Sequence, residues 1–409
     1  MKIREYKFKK DKISLFRCQN MKEIERDVEK IFKSNEKILP LNKNAKILIK
    51  PNLNNDLNAI TGNSTDLRII VSVLKSLKKR GYKNIILADG PNCGINHVGI
   101  DVLKRLGIKK IGKIFNVIVK NLNYDKSKVI KLGFSTVEVS KNCLDADFII
   151  NLPKIKTHKE AGITVACKNY MGCFKGVEKR KIHNNLPANI VKMNEIIKTN
   201  LIIADGLICM EGNGPGDGIP KNVGIILSGH NPFIMDFLVS KLIGLDYKRI
   251  RFLMIARKKG YITKEDEVRL KKIKPITQFI PAKKNIFDYL LLNNFFIYKI
   301  RFNPFFEKFF NKGPIPWLLF KLRVRQDVYI HKEMQINKLF SKEGCDKEEK
   351  KKIKNCLEIF CPMKCKSPGD EGCIRCMYCY QILPSLIRYN GDLGAFKMQL
   401  DRFGKYIRW

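Results

Sequence analysis

The sequence predicts an α/β protein with a mostly parallel sheet and helices on both faces, followed by a small cysteine-rich module. Short apolar runs that end in polar loops recur through the first three quarters of the chain. Segments with apolar residues at helical spacing lie between them, and the cysteines crowd toward the C-terminus. Alternating apolar strands and helices are typical of a parallel sheet that is covered on both faces.

Five apolar runs are the strand candidates: AKILIKPNL (45–53), KNIILADGP (83–91), ADFIINLPK (146–154), TNLIIADGL (199–207) and VGIILSGHNP (223–232). The helix candidates include DLRIIVSVLKSLKKRGY, which should end near Gly81, a good C-terminal cap. Ligands of such sheets bind beyond the carboxyl ends of the strands. We therefore expect the polar loops after the strands to converge on one edge. The chain has no G-x-G-x-x-G or Walker A loop, which argues against a standard dinucleotide or P-loop site.

The chain divides by composition into three parts. With 409 residues it exceeds what one hydrophobic core usually organises. We predict an α/β domain over residues 1–282, an aromatic and basic connecting segment over 283–341, and a cysteine-rich module over 342–409. The connecting segment either touches an anionic membrane surface or packs its aromatic residues against the body of the protein.

The net charge is +40, from 79 Lys and Arg against 39 Asp and Glu. Such a balance suggests an anionic partner, although a composition bias toward Lys, Asn and Ile would produce the same pattern. No nucleic-acid-binding motif is present, so we expect no specific nucleic acid partner. The N-terminus lacks a signal-peptide core, and no uncharged stretch reaches the roughly 20 residues needed to span a bilayer. We expect a cytoplasmic protein.

The C-terminal cysteines predict a metal site. In a cytoplasmic protein, thirteen cysteines are more often thiols or metal ligands than disulfides. CIRCMYC places three of them at C-x2-C-x2-C spacing, as in ferredoxins with a 4Fe-4S cluster, but Leu383 stands where a fourth cysteine is expected. The candidate metal ligands are Cys361, Cys365, Cys373, Cys376 and Cys379.

Zinc is the alternative to an iron–sulfur cluster. The pairs Cys361-x3-Cys365 and Cys373-x2-Cys376 would suit a tetrahedral zinc site. Such a site would leave Cys379 unused, and thiolate ligands alone do not separate the two metals. Cys361, which precedes a proline, is one candidate for the fourth cluster ligand.

The segment NLPKIKTHKEAGITVACKNYMGC (151–173) predicts either a solvated basic loop or an anion-binding site. Lys154, Lys156 and His158 alternate, so they share a face if the segment is extended. Lys168 follows ten residues later, and His183 lies in VEKRKIH. Lysines supply point charges for a phosphate or carboxylate, and histidine titrates near neutral pH.

Four segments together resemble the DUF362 family, a domain of unknown function that is often fused to a ferredoxin-like 4Fe-4S module. They are LIKPNLN, the long motif NLPKIKTHKEAGITVACKNYMGCFKGVEKRKIH, DGLICMEGNGPGDG and CIRCMYCYQILP. The resemblance covers the chain from about Ile13 to Leu386. Tyr378 and Leu383 stand where such members usually have cysteines, so the module is a degenerate version.

The resemblance implies an α/β domain whose matching loops form one site. We expect five residues in catalytic roles: Lys154, Lys156, His158, Lys168 and His183. We expect eight more to contact the substrate: Lys50, Asn52, Asp89, Thr157, Asn169, Asp205, Glu211 and Asn213. Asp236 also matches a position that is polar in the family.

These observations predict an iron–sulfur-binding, redox-linked protein or oxidoreductase. Its α/β domain would bind an anionic small molecule that bears a phosphate or carboxylate, and its cluster would exchange electrons with a redox partner. The alternative is a non-redox enzyme, a transferase or isomerase, that acts on an acidic substrate and carries a structural zinc or a relic metal module. A peripheral contact with an anionic membrane is a further expectation.

Overall fold

The computed structural model describes residues 4–92, 94–95, 99–133, 135–176, 179–283 and 332–407. The membrane-surface expectation concerns mainly residues 284–331, which lie outside the described residues. No helix among the described residues is long and apolar enough to cross a membrane.

The described strands of the N-terminal part are β1 Arg4–Lys7, β2 Lys12–Arg17, β3 Ile47–Pro51, β4 Ile85–Asp89, β5 Ile118–Asn121, β6 Ser127–Leu132, β7 Ser135–Ser140, β8 Phe148–Leu152, β9 Lys154–His158, β10 Gly162–Thr164, β11 Leu201–Asn213 and β12 Asp217–Gly229. The α-helices of this part are α1 Met21–Ser34, α2 Leu67–Lys79, α3 Val102–Arg105, α4 Ile108–Ile114, α5 Lys141–Leu144, α6 Ala166–Asn169, α7 Lys179–Ile182, α8 Leu186–Ile196, α9 Pro232–Leu242, α10 Arg251–Lys258 and α11 Lys264–Lys271. The C-terminal part adds β13 Gln335–Ser341, α12 Lys347–Phe360, α13 Tyr378–Ile382, β14 Ile387–Asp392 and α14 Phe396–Phe403.

The α/β prediction is confirmed, with a mixed sheet of ten strands. Along its main path the strands follow the order β1-β2-β12-β11-β8-β3-β4-β5. The pairs β11–β8, β8–β3, β3–β4 and β4–β5 are parallel, whereas β1, β2 and β12 join antiparallel. The strands β3, β4 and β8 are buried along their whole length, as expected for strands covered on both faces.

The sheet separates two hydrophobic cores because successive side chains of a strand point to opposite faces. Ile47 and Ile49 of β3 lie in one core, and Leu48 lies in the other. The first core also contains Phe360 and Tyr378 of the C-terminal part, which therefore packs on that face of the α/β domain. A smaller third core lies within the C-terminal part.

The segment NLPKIKTH, considered above as a basic loop, is a strand. After Pro153 the chain continues as β9, which pairs with β11 in parallel and with β10 in antiparallel orientation. The glycine-rich segment EGNGPGDG is likewise not an open loop. It forms the end of the long β11–β12 hairpin, whose pairing extends to Asn213 and Asp217.

Candidate functional site

Lys50 and Asp89 form a buried ion pair at the carboxyl ends of β3 and β4. The Lys50 side chain is fully buried, and its Nζ donates to Asp89 Oδ1 at 2.5 Å. It also donates to the carbonyl oxygens of Asn169 at 3.1 Å and Pro51 at 3.0 Å. Burial works to lower the pKa of Lys50, but the Asp89 carboxylate raises it overall. With three acceptors for three N–H groups, Lys50 is a fully bonded ammonium group.

A network of amides joins the loop after β3 to α6. Asn169 donates to the carbonyl of Lys50 at 3.1 Å and to Asn151 Oδ1 at 2.8 Å. Its own side-chain oxygen accepts from Asn52 Nδ2 at 3.0 Å. These three asparagines are buried, and their bonds fix the positions of the neighbouring lysines.

Lys154 and Asp205 form a second buried ion pair. Their Nζ and Oδ2 atoms lie 2.8 Å apart, and both side chains are fully buried. Asp205 also accepts from the backbone N–H of Asp66 at 2.7 Å, at the start of α2. Burial raises the pKa of Asp205, against the lowering effect of the Lys154 charge.

The register of β9 against β11 decides which lysine receives the carboxylate. Asp205 lies opposite Lys154, and after a bulge in the pairing Met210 lies opposite Lys156. Lys154 and Lys156 lie on the same face of β9. Because of the bulge, Lys154 faces a carboxylate, whereas Lys156 faces the thioether side chain of Met210.

Lys156 is buried without a carboxylate partner among the described residues. Its Nζ donates to Asn52 Oδ1 at 3.0 Å and to the carbonyl oxygen of Asn63 at 2.7 Å. The side chain is 1% exposed. Burial, and then the nearby charges of Lys168 and Lys154, lower the pKa of Lys156 well below its ordinary value.

Lys168 and His158 lie near Lys156. Lys168 is partly buried, and its only hydrogen bond within the described parts of the chain goes to Met171 Sδ at 3.5 Å. Burial lowers the pKa of Lys168 to about 8, against the raising effect of the Glu160 charge, although Glu160 forms no hydrogen bond or ion pair with Lys168 among the described residues. His158 Nδ1 accepts from the backbone N–H groups of Glu160 and Ala161, both at 3.1 Å. The proton of the neutral imidazole is therefore on Nε2. Burial, followed by the charge of Lys168, lowers the pKa of His158 well below its ordinary value.

Two acids support this region from outside. His183 Nδ1 lies 2.7 Å from Glu160 Oε2, and both side chains are partly exposed. Asp236 of α9 accepts from the backbone N–H groups of Ala166 at 2.8 Å and Cys167 at 3.2 Å, at the start of α6. Asp236 therefore holds the short helix that carries Lys168.

Three of the predicted substrate-binding residues have partners elsewhere. Thr157 Oγ1 donates to the carbonyl of Gly212 at 2.7 Å. Glu211 pairs with Lys221 at 2.8 Å, and Asn213 Oδ1 accepts from the backbone N–H of residue 283. These residues stabilise the β11–β12 hairpin and its neighbours. No hydrogen bond or ion pair within the described parts of the chain connects them to Lys156 or Lys168.

Sequence reasoning missed two residues beside Lys156. Asn63 supplies one of its two acceptors, and Thr164 is its cross-strand neighbour in the β9–β10 pair. Asn63 Oδ1 and Thr164 Oγ1 are both buried, and neither has a hydrogen-bond partner among the described residues. Buried polar atoms normally find a partner, so these two mark a place where a ligand group or water fits. The sequence pattern did not predict the β9–β10 pairing, and only this pairing shows that Thr164 lies opposite Lys156.

The candidate ligands Cys361, Cys365, Cys373 and Cys376 lie between α12 and α13, and Cys379 lies within α13. The Cys365 thiol hydrogen-bonds with the thiols of Cys361 and Cys373. These bonds lower the pKa of Cys361 to about 7 and that of Cys373 to about 6. Burial raises the pKa of Cys376 well above its ordinary value and that of Cys379 to about 12. Every cysteine that the structure describes is a free thiol.

The residues of this module fit a metal in chemistry and backbone. Cys361 Sγ accepts from the backbone N–H of Cys365 at 3.3 Å, and Cys373 Sγ accepts from that of Arg375 at 3.4 Å. Arg375 and Met377, on either side of Cys376, both have positive φ. Backbone N–H groups directed at thiolates are a feature of iron–sulfur sites. The side chains themselves are bonded to one another, and no group of three or more ligating residues in the described ranges has metal-binding geometry.

The module touches the loop that leads to the lysines. Tyr378, one residue before Cys379, accepts from the backbone N–H of Leu67 at 3.3 Å. Cys376 and Thr65 line the same cleft between the module and the α/β domain. Thr65 Oγ1 accepts from the backbone N–H of Asn52, whose side chain accepts from Lys156. The two candidate centres are thus joined by one loop.

Comparisons with known proteins support the family resemblance for part of the chain. Residues 47–241 match the family model described as "Domain of unknown function (DUF362)". A thylakoid-associated protein of Synechocystis sp. is 28% identical over 214 residues, which are 49% of this chain and 64% of that protein. The match therefore spans less than two thirds of that relative. The cysteine-rich C-terminal part lies outside the matched family segment.

Similarity to solved structures is weak. A protein from Thermotoga maritima aligns with a TM-score of 0.33 and 15% identity, over 51% of this chain and 56% of that one. The lactate racemase apoprotein from Thermoanaerobacterium thermosaccharolyticum aligns with a TM-score of 0.37 and 13% identity, over 56% of this chain and 59% of that one.

Proposed function

We propose that the α/β domain binds a small molecule bearing a phosphate or carboxylate, and that the C-terminal cysteines hold a 4Fe-4S cluster that makes the protein redox-linked. The observation that carries the first part is the pair Lys156 and Lys168, for which no carboxylate partner is found among the described residues. A bound anion would supply the missing negative charge. His158 provides a further polar contact, as do Asn63 Oδ1 and Thr164 Oγ1, which have no hydrogen-bond partner among the described residues.

Ligand binding would be favourable because it gives a buried amine the counter-charge that it lacks. A buried amine can charge only if a counter-charge is present, because burial disfavours the ammonium form. An anion that contacts Lys168 would therefore raise the pKa of Lys168 as it binds, and binding would take up protons. Isothermal titration of inorganic phosphate or glycolate in buffers of different ionisation enthalpy measures this proton uptake.

The matched test of the anion site uses Lys168→Gln and Lys221→Gln. Lys221 is a partly exposed lysine with its own carboxylate, Glu211, so its loss should leave anion binding unchanged. Lys168→Gln should weaken binding of phosphate and glycolate at least tenfold. Equal affinities of the two variants would contradict the anion site.

The cysteine module supports the second part by its ligand types and its N–H donors to sulfur. A bound cluster would supply one-electron redox chemistry, and Cys361, Cys373, Cys376 and Cys379 would hold it, with Cys365 as a competing ligand. Anaerobically purified protein should be brown, with iron and sulfide at about four each per chain. Stoichiometric zinc without colour would overturn the redox part and leave the anion site standing.

The alternative is a non-redox enzyme on an acidic substrate, with a structural zinc or relic module. The observation that favours it is Lys156, a buried amine with only neutral hydrogen-bond partners, since such amines serve acid–base and nucleophilic chemistry. The metal analysis separates the two proposals.

Peripheral contact with an anionic membrane remains part of the proposal. It is supported by the net charge of +40 and by the name of the Synechocystis relative, which associates that protein with thylakoids. The protein should co-sediment with vesicles that contain anionic lipid and not with neutral vesicles. Equal recovery in both pellets would contradict an electrostatic contact.

A further inference from the structure

The hydrogen bonds of Lys156 match a neutral amine. An ammonium group has three N–H donors and no lone pair, whereas a neutral amine has two N–H donors and one lone pair. Lys50 Nζ has three acceptors, one of them a carboxylate. Lys156 Nζ has two, Asn52 Oδ1 and the carbonyl oxygen of Asn63, and both are uncharged. The two acceptors use both N–H groups of an amine and leave its lone pair for another partner.

Two residues next to Lys156, Asn63 and Thr164, have buried side-chain oxygens that could bond to a carbonyl compound. Asn63 Oδ1 and Thr164 Oγ1 are buried and have no partner in the described parts of the chain. Thr164 lies directly opposite Lys156 in the β9–β10 pair, where side chains are neighbours. Lys168 is the partly exposed cation of the group, and its charge acts on both Lys156 and His158.

We propose that Lys156 is a nucleophilic amine that forms an imine with an aldehyde or ketone bearing a carboxylate or phosphate, whose anionic group is bound by Lys168. The proposal rests on the anion site proposed above and names its substrate class. A desolvated lysine beside a second cation is a known way to keep an amine uncharged and nucleophilic near neutral pH. The paired Lys50 and Lys154 lack this property because each is held next to a carboxylate.

The step balances without an oxidant or reductant. The Nζ lone pair attacks the carbonyl carbon, and the carbonyl oxygen takes up a proton to give a hydroxyl group on the tetrahedral adduct. The nitrogen loses a proton, the hydroxyl leaves as water with another proton, and a C=N bond remains. Lys168 stays protonated against the bound anionic group, so water supplies the protons that the oxygen takes up and accepts the proton that the nitrogen loses. Thr164 Oγ1, on the residue opposite Lys156, can accept a hydrogen bond from the hydroxyl of the adduct.

Trapping the imine tests the proposal directly. The full-length protein is incubated with glyoxylate and sodium cyanoborohydride, which reduces imines to stable secondary amines, and the modified peptides are mapped by mass spectrometry. Glycolate, the same anion without the carbonyl group, is titrated in parallel as the binding control. We expect one dominant adduct on Lys156, at least tenfold above the labelling of Lys50 and Lys154, and loss of that adduct in Lys156→Met.

The outcomes separate the imine from the anion site. If glycolate binds in a Lys168-dependent manner and glyoxylate leaves Lys156 unlabelled, the imine is overturned and the anion site stands. If labelling is spread over exposed lysines without preference for Lys156, the imine is also overturned. If neither glycolate nor phosphate binds, the anion site and the imine both fail. The peptide map of the unmodified sequence gives this answer even if Lys156→Met does not fold.

Discussion

Two kinds of lysine lie side by side at the carboxyl edge of the sheet. Lys50 and Lys154, the paired lysines, each contact a buried aspartate, Asp89 and Asp205. Lys156 and Lys168, the unpaired lysines, have no carboxylate partner among the described residues. The paired lysines stabilise the fold as long as their aspartates are present. The unpaired lysines are the ones for which we propose an anionic ligand. The difference teaches that a cluster of lysines is not one functional unit.

Removing the carboxylate of a paired lysine should have the largest effect. Asp89→Asn leaves the Lys50 ammonium buried without a counter-charge, which should lower the free energy of unfolding by about 3–5 kcal/mol. Denaturant unfolding monitored by circular dichroism measures the change. The control is Glu5→Gln, which breaks the exposed Lys12–Glu5 pair and should cost about 1 kcal/mol or less.

The double variant Lys50→Met with Asp89→Asn sharpens this result. It removes the stranded charge, so it should be more stable than Asp89→Asn alone. If Asp89→Asn costs no more than Glu5→Gln, Lys50 does not depend on its carboxylate and the distinction between the two kinds of lysine is wrong.

Asp236 is the acidic counterpart of an unpaired lysine, and it should give the next largest effect. It is fully buried, its bonded partners are two backbone N–H groups and the Cys167 thiol, and burial raises its pKa from 3.8 to about 7. The folded protein then binds more protons than the unfolded chain between these pH values. The free energy of unfolding should therefore fall by up to about 4 kcal/mol as the pH rises from about 4 to about 7.

Asp236→Asn should remove this part of the pH dependence. The measurement is urea unfolding of both proteins across the same pH range, and the quantity compared is the difference in free energy of unfolding. A difference that does not change with pH would show that Asp236 is ionised throughout, stabilised by its two N–H donors at the start of α6.

The sequence predicted the class of fold and the edge at which these residues meet. Apolar strands followed by polar residues suffice for that, because parallel strands bring their carboxyl ends together. The sequence did not predict which lysine is paired. That depends on the bulge in β11 that sets Asp205 opposite Lys154 and Met210 opposite Lys156.

The sequence also placed Glu211 and Asn213 with the lysines, whereas the structure gives them partners on the β11–β12 hairpin and just beyond it. Side-chain partners 39 or 51 positions apart, such as Lys50 with Asp89 and Lys154 with Asp205, follow from strand register rather than from local spacing. The pattern of residue types in the sequence therefore predicts neither the hairpin partners of Glu211 and Asn213 nor the lysine–aspartate pairs. The cysteine spacing has the same limit, since it suggests ligands without fixing how their sulfur atoms meet.

The third largest effect that we expect is a pH dependence of stability caused by Lys156. Its pKa in the folded protein lies well below the ordinary 10.5, so the unfolded chain binds more protons up to that pH. The stability of the unmodified protein relative to Lys156→Met should therefore increase as the pH rises toward 10.5, by up to about 1.4 kcal/mol per pH unit. Unfolding curves at intervals above pH 8 measure the slope. A slope of zero would mean that Lys156 is a stable ammonium group, which would remove the basis of the imine.

Lys168 should change the pH dependence of stability in the same direction as Lys156, and this is the smallest effect that we expect. Its folded-state pKa of about 8 is below 10.5, so removing it by Lys168→Met should favour the folded state most below about pH 8 and progressively less as the pH rises to 10.5. Because the side chain is partly exposed, solvent screens its charge, and we expect a change below about 1 kcal/mol over this range. Saturating phosphate should abolish the difference in slope, since a bound anion gives Lys168 the counter-charge that Lys50 has in Asp89. If phosphate leaves the slope unchanged while it binds, the anion lies elsewhere, and Lys168 belongs with the surface lysines rather than with Lys156.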